Sequence, residues 1–204
     1  SSVNQELRNF QAFLKFLQEQ EFLIPQGLLR LKGPKQPERL PRFLTDGQVC
    51  RLRDDLDQRL VEAGTPGQRR DALLDRAAFY LLWHGGLRVS EVEELRLEDI
   101  DPPGRRLVVR GGKGRRDRAV YLTGVAVAAV EDYLSVRGRG PIEHVFLYHN
   151  LPASKDLFRN RLKAAGERAG VKVTPHRLRH TYATQLVNAG CRITSLQKLL
   201  GHQR

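Results

Sequence analysis

Between Asn4 and about Leu23 the apolar residues Leu7, Phe10, Phe13, Leu14 and Leu17 recur at intervals of three and four, the period of an amphipathic helix. The pattern stops at Ile24. From Pro25 to Phe43 the chain carries Pro25, Pro34, Pro37 and Pro41 among several Lys and Arg residues, which predicts an extended basic linker and places a domain boundary there. Thr45 followed three residues later by Gln48 is a capping-box pattern, so a helix is expected from there to about Ala63. Asp71 to His84 is densely apolar and predicts a buried helix ended by Gly85 and Gly86. Ser90 with Glu93 offers a second capping box, which puts Arg88 at the junction between two helices.

Farther on the period changes. Leu107–Arg110 and Ala119–Leu122 are short β-prone runs on either side of the glycine-rich, basic stretch Gly111–Arg118, the layout of a hairpin with a long tip. Helical periodicity returns over Val125–Val136, Ser154–Ala169, Pro175–Asn188 and Ser195–Leu200. The expected fold class is therefore mainly α with a small antiparallel β-sheet (α+β), organised as a helix over 1–24, a linker over 25–43 and a main domain over 44–204.

Composition narrows the partners. In the 204 residues, Lys and Arg outnumber Asp and Glu by 35 to 23, a formal charge of +12, and such a surplus favours a polyanion such as duplex DNA. Apolar residues at 40% and charged residues at 28% are those of a globular chain rather than a disordered one. No apolar run reaches the roughly 20 residues that cross a bilayer, and no signal-peptide layout opens the chain, so no membrane is expected and the cytoplasm is the expected compartment. Cys50 and Cys191 are too few and too far apart for a disulfide framework and read as reduced thiols. The sequence contains no Met at all, its first residue included, which reads as a piece of a longer protein.

Three segments place basic side chains where a helix or hairpin ends. In Gly86-Leu87-Arg88-Val89-Ser90-Glu91, Arg88 is either a ligand-binding guanidinium or a partner for Glu91. In Gly112-Lys113-Gly114, followed by Arg115, Arg116 and Arg118, glycines let backbone approach a phosphate. Thr174-Pro175-His176-Arg177-Leu178-Arg179-His180-Thr181 is the most telling. Thr174 is a good N-cap and Pro175 a good first residue, so His176 and Arg179 share one face of a helix N-terminus, where N–H groups and the helix dipole favour anions. Leu199-Leu200-Gly201-His202 ends a helix with glycine and puts a histidine just beyond it.

In that order these segments resemble the signature of the tyrosine site-specific recombinases and phage-type integrases, from near Pro41 to His202. The resemblance implies the tyrosine recombinase catalytic-domain fold, with Arg88, Lys113, His176, Arg179 and His202 catalytic and Glu91 and His180 supporting. It implies that residues 1–24 correspond to the last helix of a core-binding domain otherwise absent, and that the catalytic domain lacks its C-terminal tyrosine segment. None of the five tyrosines sits at the nucleophile position, roughly two helical turns beyond Leu-Gly-His; Tyr182 is expected instead to fill an apolar slot on its helix. The implied partner is double-stranded DNA, contacted by Lys32, Lys35, Arg115, Arg116, Arg118 and Arg177. The full-length protein is expected as a tetramer on two DNA sites and this chain as a monomer.

The implied chemistry is strand cleavage and rejoining through a 3′-phosphotyrosyl intermediate, with no cofactor and no metal. Guanidinium forks suit the charge that builds on nonbridging oxygens, and Lys113 suits protonation of the departing 5′ oxygen. His176 can exchange a proton with the nucleophile, while His202 can donate to the phosphate. Two rivals stand beside this reading. His176 and His180 have the i, i+4 spacing of some zinc helices, with Cys191 and His202 downstream, although no carboxylate cluster accompanies them. The other rival is a non-catalytic DNA-binding protein that retained the recombinase fold.

Overall fold

The computed structural model describes residues 3–34, 43–111, 117–138 and 142–201. The chain divides into two compact units, Ser1–Leu40 and Pro41–Arg204. In the first, α1 (Val3–Glu19) is followed by a short helix α2 (Gln26–Leu29). That helix lies in the stretch expected to be extended. Gln11 on α1 donates to the carbonyls of Leu29, at 3.3 Å, and Leu31, at 2.9 Å, and Asn4 donates to that of Pro34 at 3.1 Å, so residues 25–34 fold back on α1. Their prolines begin or follow the helix and do not interrupt it, and Pro25 stands as the residue preceding α2.

The second unit runs α3 (Asp46–Val61), α4 (Pro66–Trp83), α5 (Val89–Glu93), a 3₁₀ turn (Leu97–Asp99), β1 (Ile100–Asp101), β2 (Arg106–Val109), β3 (Arg118–Tyr121), α6 (Gly124–Val136), β4 (Leu147–Tyr148), β5 (Leu151–Pro152), α7 (Lys155–Arg168), α8 (Pro175–Asn188) and α9 (Ile193–Leu200). Strands β1, β2 and β3 form an antiparallel sheet in that order, with Val109 opposite Arg118, and β4 pairs with β5. The fold is mainly helical with small antiparallel sheets, as the periodicity predicts.

Hydroxyl caps set the helix starts. Thr45, Thr65, Thr123, Ser154 and Thr174 each accept the backbone N–H of the third helical residue, and each such cap is worth about 1 kcal/mol. Thr45 and Gln48 complete the expected reciprocal box. Ser90 and Glu93 do not: α5 begins after Arg88, whose backbone N–H donates to Glu91, and Glu93 instead accepts the N–H of Lys155 at the start of α7. Helix α4 is the centre of the core. It buries Ala72, Leu73, Leu74, Ala77, Ala78, Phe79, Tyr80, Leu81 and Leu82 and packs against α3, α6, α7 and α8. Each large side chain so buried contributes about 1.5–3 kcal/mol, which makes α4 the frame that holds its C-terminal turn, Gly85-Gly86-Leu87, in place.

Candidate phosphate-binding site

The site is assembled where the turn after α4, the start of β3 and the last turn of α9 meet. Gly86 adopts φ 59°, the left-handed region, and a Cβ there would lie 2.3 Å from Cδ1 of Tyr182. Only glycine fits between that ring and the turn. The turn presents the Gly86 carbonyl to α8, where Arg179 donates to it through Nη1. Arg179 donates through Nη2 to the Leu200 carbonyl at the end of α9. One buried guanidinium thus joins α4, α8 and α9.

Glu91 is the hub. Its Oε1 accepts from Arg88 Nη1 at 2.8 Å and Arg118 Nη1 at 3.0 Å, and its Oε2 accepts from Arg118 Nη2 at 2.7 Å and the Arg88 backbone N–H at 2.8 Å. Arg179 Nη1 stands 3.8 Å from Oε2. Three guanidiniums therefore surround one carboxylate, leaving a surplus of positive charge within the cluster. Burial pulls the Glu91 carboxyl upward, but the donors from Arg118 and Arg88 outweigh it and hold the group below its ordinary value. Burial first, and then the neighbouring Arg88, lower Arg179 to about 10, which leaves it charged at neutral pH. A desolvated cation repelled by its neighbours is one that an added anion stabilises.

Exposure ranks the three arginines. The Arg88 side chain is 31% exposed, Arg118 14% and Arg179 8%, so Arg88 forms the outer wall and Arg179 the floor. Arg88 uses only Nη1 and its backbone N–H among the described residues, so Nε and Nη2 remain to donate to an incoming oxygen.

The structure brings Arg88, Glu91 and Arg179 together, and Arg118 joins them. Expected on the hairpin tip as a DNA contact, Arg118 is the first residue of β3; it shares the inward face with buried Val120, while Ala119 and Tyr121 point outward. Its Nε donates to the Leu199 carbonyl at 2.9 Å, beside Gly201, which ends α9 at φ 62°. Arg177, expected as a DNA contact, donates to the Lys172 and Phe43 carbonyls. Lys32 is exposed in the first unit. Lys35, Lys113, Arg115, Arg116 and His202 lie outside the described residues.

His176 is exposed in the first turn of α8, three residues before Arg179, and its Nε2 lies 2.7 Å from Nε2 of His180. That contact lets His180 orient the ring of His176. Tyr182 packs against Gly86, and burial raises its phenol above its ordinary value, the state of a packing residue rather than of an activated nucleophile. Among the described residues no three His, Cys, Asp or Glu side chains converge to hold a metal, and no helix is long and apolar enough to cross a membrane.

Comparison with known proteins agrees with this geometry. The model of the phage integrase family matches residues 43–204. Tyrosine recombinase XerA of Thermococcus kodakarensis is 38% identical over 178 residues, covering 85% of this chain and 58% of the relative. Tyrosine recombinase XerC of Myxococcus xanthus is 36% identical over 217 residues, covering 99% and 68%. The chain spans 58% to 65% of the length of the XerA relatives from Thermococcus kodakarensis and Thermococcus onnurineus. Among solved structures, XerA recombinase superposes with a TM-score of 0.69 at 25% identity, over all of this chain and 69% of the other. The Tn1549 transposon integrase, solved with transposon right end DNA, shares the fold with a TM-score of 0.76 at 20% identity, over 99% and 71%.

Proposed function

Because the chain belongs to the phage integrase family, we propose that its second unit is the catalytic domain of a tyrosine recombinase that cleaves and rejoins duplex DNA. The observation that carries the reading is the cluster of Arg88, Arg118 and Arg179 around Glu91, whose surplus of positive charge is left for a phosphate. Arg88 and Arg179 bind the nonbridging oxygens of the scissile phosphate and stabilise the charge that accumulates there during attack. Guanidiniums here act electrostatically and transfer no proton.

Proton transfer falls to other groups. Lys113 protonates the departing 5′ oxygen, and His176, oriented by His180, exchanges a proton with the attacking hydroxyl. His202 donates to the phosphate. The attacking residue is none of Tyr80, Tyr121, Tyr133, Tyr148 or Tyr182. A phosphotyrosyl linkage conserves the energy of the phosphodiester bond, so rejoining proceeds without a nucleotide or metal cofactor. The intact protein acts as a tetramer on two DNA sites, in the cytoplasm, and this chain alone is a monomer.

Binding to duplex DNA over a range of salt concentrations tests the phosphate site. Arg88→Gln is expected to weaken binding and to reduce the slope of log affinity against log salt by about 0.9, one phosphate contact. Binding that ignores salt, or an unchanged slope in Arg88→Gln, refutes the assignment.

A further inference from the structure

We infer that Arg118 is a positioning residue that neutralises Glu91 and anchors both the lysine-bearing hairpin and α9 to the phosphate site, without itself touching DNA. The inference rests on the phosphate-site reading above. Arg118 directs Nη1 and Nη2 to the two oxygens of Glu91 and Nε to the Leu199 carbonyl, so each nitrogen of its fork already donates within the protein. Among the described residues no other guanidinium makes a bidentate pair with Glu91.

Charge balance makes the role specific. With Arg118 in place the Glu91 carboxylate is satisfied, and Arg88 and Arg179 keep donors for an anion. Without it, Glu91 loses its bidentate partner. The carboxylate then competes with phosphate for Arg88, already 2.8 Å away, and for Arg179 Nη1 at 3.8 Å. Geometry adds a second consequence. Arg118 directly follows Asp117, whose carboxylate accepts the backbone N–H of Gly111 at 2.8 Å. The neck of the loop that contains Lys113 is thus closed by Asp117 and tied to the site by Arg118. The last turn of α9, immediately before His202, is held by Arg118 through Leu199 and by Arg179 through Leu200. A single arginine therefore sets the register between two flanking segments and the phosphate.

The test is a charge-rescue cycle with the chain and a short fluorescent DNA duplex. Arg118→Gln is expected to bind at least about tenfold more weakly than wild type, the order of effect of leaving one member of a buried charge pair without its partner. Its salt slope is expected to stay at the wild-type value, because no phosphate contact is removed. The double variant Glu91→Gln with Arg118→Gln restores the charge balance of the cluster and is expected to recover most of the affinity.

A slope reduced by about 0.9 makes Arg118 a direct phosphate ligand and overturns the inference. So does a double variant as weak as Arg118→Gln, or an Arg118→Gln protein that binds like wild type. If Arg118→Gln lacks a native near-ultraviolet spectrum, Arg118→Lys carries the same test, since it keeps the charge beside Glu91; it is expected to bind more weakly than wild type with an unchanged slope, and a reduced slope or wild-type affinity refutes the role. Loss of salt-dependent binding in wild type itself, by contrast, falls on the phosphate-site reading and not on Arg118.

Discussion

Replacing Glu91 by glutamine keeps the shape of the side chain and removes the charge at the centre of the site. Four donated hydrogen bonds end on its two oxygens, and the side chain is only 12% exposed. A glutamine presents one oxygen to two of those donors and an NH₂ group to the other two, so donors face donors. Three guanidiniums are then left without a counter-charge, and breaking a buried ionic network from one side typically costs about 3–5 kcal/mol. For a folded unit of this size that corresponds to a fall in melting temperature on the order of 10 °C. The acid limb gives the sharper reading. Because the folded-state pKa of Glu91 lies below its ordinary value of 4.5, the carboxylate contributes stability that is fully present above pH 4.5 and is lost as pH falls through the lowered value. The gap between wild type and Glu91→Gln is therefore widest near neutrality and narrows in acid. Urea unfolding followed by the fluorescence of Trp83, the chain's single tryptophan, at a series of pH values measures it. A variant as stable as wild type at pH 7, or a gap that widens on acidification, refutes the account of the cluster.

Two other substitutions probe the frame and the chemistry. Gly86→Ala forces a side chain into the left-handed region and against Tyr182, so a loss of more than about 1 kcal/mol is expected in the same unfolding assay, and a neutral result refutes the packing described. In the protein encoded by the full reading frame, Lys113→Ala is expected to slow DNA cleavage, and a substrate with sulfur at the 5′ bridging position, whose departure needs no proton, is expected to restore the rate; absence of rescue assigns the proton to another donor.

Much of this is legible in the sequence. The Thr45 and Gln48 box, the apolar block that became α4 and the bounds Pro175–Asn188 follow from local rules of capping and period. What escaped has physical reasons. The first turn of α4, Pro66–Arg70, is polar and shows no apolar period, although Thr65 and Pro66 carry a start signal that marks it. Strands β1, β4 and β5 have two residues each, too few to alternate. Glu91 was legible as a partner of Arg88 because the two lie three residues apart. Arg118 meets Glu91 across 27 residues, and only the inward alternation of β3 hints at which way it points. Arg179 adds a lesson for experiment. Its ties to Gly86 and Leu200 mean that Arg179→Ala also strands two carbonyls, so Arg179→Lys, which retains a donor and a charge, is the cleaner probe of its chemistry.

The central claim, that this arginine cluster serves cleavage through a covalent protein–DNA intermediate, is tested most directly by trapping that intermediate. The protein encoded by the full reading frame is incubated, in the presence of a chelator, with a nicked duplex that carries its recombination site and loses a short strand on cleavage. The account predicts an adduct that survives denaturant, joined through the 3′ phosphate, retained in Tyr182→Phe and lost in Arg88→Ala and Arg179→Lys. Cleavage that leaves no adduct, or an adduct that disappears with Tyr182→Phe, contradicts it.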